Sequence, residues 1–69
     1  MVQRFYFIEE NEEIAGVYMD REIAREEAVY LKEDHPLDHF KLYSLTMAEL
    51  ENYPDEFDFA EDAGLVQHI

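Results

Sequence analysis

Phe5, Tyr6, Phe7 and Ile8 form an unbroken run of large apolar side chains near the start of the chain. Successive residues of a strand point to opposite faces, so Phe5 and Phe7 would line one side of a sheet and Tyr6 and Ile8 the other. A strand that is apolar on both faces belongs at the centre of a sheet, with cover above and below it. The segment Val2 to Glu9 is therefore predicted as a central strand, and the remaining elements must be arranged around it.

Four carboxylates around Asn11 (Glu9, Glu10, Glu12 and Glu13) interrupt the apolar run, and Ile14 to Met19 resumes strand-like composition. This pattern predicts a β-hairpin with an acidic tip. Gly16 inside the second strand marks a bulge or a close backbone approach. Asp20 is suited to cap a helix over about residues 20 to 34. Ile23, Ala24, Ala28 and Leu31 recur on one side of that helix with Tyr30 beside them, opposite Arg21, Glu22, Arg25, Glu26, Lys32 and Glu33. Pro36 ends the helix because it forces the residue before it out of the helical region.

Asp38 to Leu45 alternates as a third strand, and Thr46-Met47-Ala48-Glu49 is a capping box that starts a short helix. A right-handed crossover from the second strand to the third places the third beside the first. The expected fold is α+β, a ββαβ core whose three-stranded antiparallel sheet has order 2-1-3. One main helix covers only one face of that sheet. The other face requires either a second copy of the chain or the acidic aromatic tail, residues 53–69, where Pro54, Asp55 and Glu56 begin a short helix and Gly64 stops it.

At 69 residues the chain has room for one domain, residues 1–69, burying only about 60% of its unfolded surface. With no Cys, no disulfide reinforces it, so a homodimer is one expected source of stability. The composition is otherwise dominated by charge. Eighteen Asp and Glu face five Lys and Arg for a formal charge of −13, and no Lys or Arg occurs from Leu42 to Ile69. Nucleic-acid backbones and anionic membranes attract Lys and Arg, so neither is an expected partner. No apolar segment reaches the length of a membrane helix and the N-terminus lacks signal-peptide character, which makes a cytoplasmic location the expectation.

Catalytic chemistry finds little support. Ser44 falls in a strand, Thr46 is committed to its cap, and Gly16 and Gly64 build no phosphate loop. The chain is read as a non-enzyme without a cofactor. His35 and His39, flanked by Asp34 and Asp38, have metal-ligand chemistry, but Pro36 prevents a common helical face. They are read as a polar connector, and no metal site is expected.

The layout RFYFIEENEEIAGVYMDREIAREEAVYLKED followed by FKLYSLTMAEL resembles short acidic ββαβ proteins frequent in phages and mobile elements, among them inhibitors of the anti-CRISPR or anti-restriction type. The resemblance spans about two thirds of the chain, rests on layout and charge, and assigns no residue a role. It implies an acidic inhibitor that occupies the basic nucleic-acid-binding surface of a partner protein as a DNA mimic does. The residues expected to make that contact are Glu9, Glu10, Glu12 and Glu13 at the hairpin tip, with Asp55, Glu56, Phe57, Asp58, Phe59, Glu61 and Asp62 in the tail. The alternative is a homodimeric structural or regulatory module joined through its apolar sheet face, with the charge serving solubility.

Overall fold

The computed structural model describes residues 3–66. Its elements are β1 (Arg4–Glu10), β2 (Glu13–Tyr18), α1 (Arg21–Asp34), β3 (Phe40–Thr46), α2 (Met47–Leu50) and α3 (Pro54–Asp62). The three strands form one antiparallel sheet in the order β2-β1-β3, with the apolar run at its centre as its two-sided pattern requires. Phe5 pairs with Leu45 and Phe7 with Tyr43 on one face, while Ile8 pairs with Leu42 on the other. Phe5, Phe7 and Ile8 are almost wholly buried. Full burial of an apolar side chain of this size is worth about 1.5–3 kcal/mol, so this strand supplies much of the driving force.

The two faces are covered differently. Helix α1 lies over the Ile8 face, where Ala24 is fully buried. The Phe5 and Phe7 face is closed by the chain's own C-terminal segment: Leu50 of α2, Ala60 of α3 and Val66 complete the core, and Phe57 and Leu65 pack against it. Phe7 and Tyr43 stack there with ring centroids 5.5 Å apart. A single chain thus covers both faces, and the sheet face on which a dimer was envisaged is occupied from within.

The hairpin loop is only Asn11 and Glu12, both with positive φ (52° and 72°), which is a two-residue turn of the mirror-image type that matches strand twist. Between Ile8 and Glu9 the register with β2 shifts: Ile8 faces Gly16 but Glu9 faces Ile14. Ala15 is the extra residue of a bulge. Without it Ile14 and Val17 would point to opposite faces, whereas both pack against the Phe5 and Phe7 core. A Cβ on Gly16 would lie 2.9 Å from the Tyr18 hydroxyl, so the glycine makes room for the tyrosine ring folded over it.

Local chemistry accounts for the helix ends. The Asp20 carboxylate accepts from the amides of Glu22 (2.8 Å) and Ile23 (3.3 Å). At α2 the Thr46 hydroxyl accepts from the Glu49 amide (3.2 Å) and the Glu49 carboxylate from the Thr46 amide (3.0 Å), the reciprocal pair of a capping box. Helix α3 starts at Pro54 and ends in a left-handed Gly64 (φ 79°), with Gly64 N–H donating to Glu61 C=O and Leu65 N–H to Ala60 C=O. This reverse turn directs Leu65 and Val66 back to the core.

The buried stripe of α1 is narrower than its sequence spacing predicts. Ala24 is buried and Glu27, Ala28 and Leu31 are half-buried, but Ile23 and Tyr30 are 50% and 61% exposed. Small residues at positions 24 and 28 seat the helix on its alanine side. The larger apolar side chains flanking them are left in solvent.

Candidate functional site

Strand alternation and helix placement decide where the predicted contact residues go. Glu9 shares the Phe7 face of β1 and lies at its end nearest the turn. The first turn of α3, carrying Asp55 and Glu56, comes to the same place. Glu56 is half-buried, and its pKa is raised first by loss of solvent and then by the negative charges of Asp55 and Glu9. Glu9 of the hairpin cluster and Glu56 of the tail cluster thus lie within electrostatic reach of one another. Sequence separation of more than forty residues hid this proximity.

Tyr43 is enclosed by the same groups. Its hydroxyl is buried beside Glu9. Burial, then the charges of Glu56 and Glu9, hold its pKa well above the ordinary phenol value. Lys41, opposite Glu9 in β3, places its ammonium 5.7 Å from the Tyr43 ring centroid and bounds the acidic face on that side.

The other predicted residues fall into two groups. Glu12, Glu13, Asp55, Asp58 and Asp62 are exposed and free to meet a partner's surface, and Glu61 is half-buried. Phe57 packs against the core, so its ring is engaged in holding α3 to the sheet, and Phe59 is half-buried. Neither aromatic projects as an exposed anchor. The acidic surface is carried by carboxylates on a rigid support.

Glu10 takes the opposite face of β1 from Glu9 and meets different neighbours. Its carboxyl lies close to that of Asp38, and the interaction between them, followed by loss of solvent, raises the Glu10 pKa from its ordinary value. The Asp38 carboxylate is correspondingly lowered, first by its interaction with Glu10 and then by that with the Asn11 side chain. His35, at the C-cap of α1, completes the group: donor atoms of Glu10, His35 and Asp38 all lie within 4.8 Å of one another. The sequence pairing of His35 with His39 is not what the fold assembles. His39 instead binds through its backbone to Asn11, donating N–H to the Asn11 side-chain oxygen (3.0 Å) and accepting from the Asn11 amide (2.8 Å). His68 lies outside the described residues.

Two surface grooves are also present. One, of about 370 Å³, is lined by Arg4, Tyr6, Arg21, Leu42, Tyr43 and Ser44, with the Arg4 guanidinium donating to the Ser44 hydroxyl (3.2 Å). The second, of about 530 Å³, runs along the outer side of α1 between Glu22, Arg25, Glu26, Val29, Tyr30 and Glu33. Both are open to solvent, and neither holds a nucleophile beside a general base. Among the described residues no helix is long and apolar enough to cross a membrane. Compared with known protein families, curated proteins and solved structures, the chain matches none.

Proposed function

We propose that this chain is a non-enzymatic binding protein whose carboxylate surface occupies a basic nucleic-acid-binding site on a partner protein. The most concrete version is a DNA-mimicking inhibitor of a nuclease, of the anti-CRISPR or anti-restriction type. The observation behind the reading is that Glu9 and Asp55 lie close enough to Glu56 for their charges to add to the effect of burial on its pKa, which brings the hairpin cluster and the start of α3 within electrostatic reach of one another. The Glu56 pKa is raised first by loss of solvent and then by the charges of Asp55 and Glu9, and a basic partner would relieve the part of that cost that is repulsion. The elongated form, 39 × 24 × 18 Å, gives a long axis comparable to roughly eleven base pairs at 3.4 Å per step.

Affinity capture from the native host, followed by competition with duplex DNA, tests this reading. The captured protein is expected to be released by DNA and by salt, because steering between opposite charges weakens as the Debye length falls from about 10 Å at 0.1 M to about 3 Å at 1 M. Reversal of the exposed Glu12, Glu13, Asp55 and Asp58 to Lys is expected to abolish capture. Retention of the partner through both treatments would refute the proposal.

The outer side of α1 favours a second reading, that of an interaction module. Val29 and Tyr30 are 56% and 61% exposed in the groove there, so α1 leaves apolar surface open to a partner. Sedimentation at low micromolar concentration checks for self-association, and a monomer unchanged by Tyr30→Ser would remove the dimeric version.

A further inference from the structure

We propose that Glu10, His35 and Asp38 form a site for one divalent transition-metal ion, with zinc the best chemical match. An imidazole with two carboxylates is a nitrogen and oxygen donor set suited to zinc, and it leaves a fourth position for water. Calcium and magnesium prefer all-oxygen shells of six or more ligands, which this set does not provide. Ligand atoms about 2.0–2.1 Å from a tetrahedral zinc stand roughly 3.3 Å apart. The three donors already lie within 4.8 Å of one another, so side-chain rotation suffices to close the site.

The arrangement is more than a by-product of an acidic composition. Its members come from three places in the chain: the end of β1, the C-cap of α1 and the connector before β3. The imidazole is the selective member, and the neighbouring acids Glu12, Glu13, Glu33 and Asp34 stand outside the set. The backbone beneath the ligands is tied down by separate contacts. Asn11 and His39 clamp the hairpin to the connector by two hydrogen bonds, at 2.8 and 3.0 Å. Lys32 spans the connector, its ammonium donating to the carbonyls of Pro36 (3.2 Å) and Asp38 (3.1 Å). Asp38 N–H in turn donates to His35 C=O (3.1 Å). A backbone held in place before binding leaves only side-chain freedom to be lost when the ion arrives. The negative end of the α1 dipole at His35 also favours a cation.

Glu10 and Asp38 are half-buried and His35 is exposed, so an ion would enter from solvent and exchange. Titration calorimetry of the full chain with zinc chloride at neutral pH tests the site, with magnesium chloride as the comparison. One saturable equivalent of zinc is expected, with magnesium binding weakly or not at all. His35→Ala and Glu10→Gln should each lower zinc affinity by about tenfold or more, while His39→Ala leaves it unchanged. By NMR the His35 ring signals should shift with the first equivalent and those of His39 should not. Absence of saturable zinc binding would overturn the proposal. So would several weak equivalents indifferent to His35→Ala, or equal binding of zinc and magnesium, since these describe a diffuse carboxylate surface. Unchanged far-UV circular dichroism of His35→Ala, an exposed position, separates lost binding from lost folding.

Discussion

Replacing Glu12 with glycine should stabilise the protein through the backbone rather than through charge. Glu12 sits at φ 72° in the second position of the hairpin turn. A side chain in the left-handed region costs about 1–2 kcal/mol because its Cβ crowds the following carbonyl oxygen. Glycine removes that contact but has more freedom to lose on folding, which takes back about 0.5–1 kcal/mol. The net gain is about 0.5–1 kcal/mol. For a domain of this size each kcal/mol moves the melting temperature by about 4–8 °C, so Glu12→Gly should melt about 2–8 °C higher. Glu12→Ala is the necessary control, since it deletes the carboxylate while keeping a Cβ at positive φ. Thermal melts followed by circular dichroism in 0.1 M and 1 M salt separate the two effects, because high salt screens the charge contribution. If Glu12→Ala gained as much as Glu12→Gly, or the glycine advantage vanished in 1 M salt, the strain argument would be wrong.

Three further perturbations probe other parts of the account. Leu50→Ala removes a fully buried side chain of the tail-side core and should cost about 2–5 kcal/mol, a large share of the stability of so small a domain, read as a drop in urea midpoint. Gly64→Ala places a Cβ at φ 79° with no steric contact within 4 Å, so its cost of about 1 kcal/mol should come from conformation alone, and Gly64→Asn should recover part of it. Stability should fall as pH rises from 4.5 toward 7, because Glu56 and Glu10 have pKa values raised above the ordinary 4.5 and the folded state must release their protons at a cost. Asp38 and Glu49 are lowered and act in the opposite sense, losing their contribution as pH drops through their folded values, so melting temperature against pH should pass through a maximum on the acidic side of neutrality. Glu56→Gln should flatten the descending limb.

Some of this architecture could be read from the chain because local rules carried it. The two-sided apolar run at Phe5 to Ile8 demanded a central strand, and crossover handedness then ordered the sheet. Capping signals at Asp20, Thr46, Pro54 and Gly64 marked the helix ends for the same reason, since each acts on backbone groups within a few residues. The cover for the second sheet face could not be chosen from composition, because Leu65 and Val66 gain their place only through the reverse turn at Gly64. The expectation for α1 was too broad: periodicity grouped Ile23 and Tyr30 with Ala24, while packing favoured the small side chains. The sites were the least legible part. Adjacent residues Glu9 and Glu10 serve opposite faces, one meeting Glu56 and the other meeting Asp38 and His35, and no local spacing encodes either encounter.

The central proposal is that the carboxylates of the hairpin and α3 stand in for a nucleic-acid backbone. It is tested most directly by asking whether duplex DNA and this protein exclude one another from the partner captured in the native host. Mutually exclusive binding is expected, with the Glu12, Glu13, Asp55 and Asp58 to Lys variant unable to displace DNA. A ternary complex in which the partner holds DNA and this protein at once would contradict it.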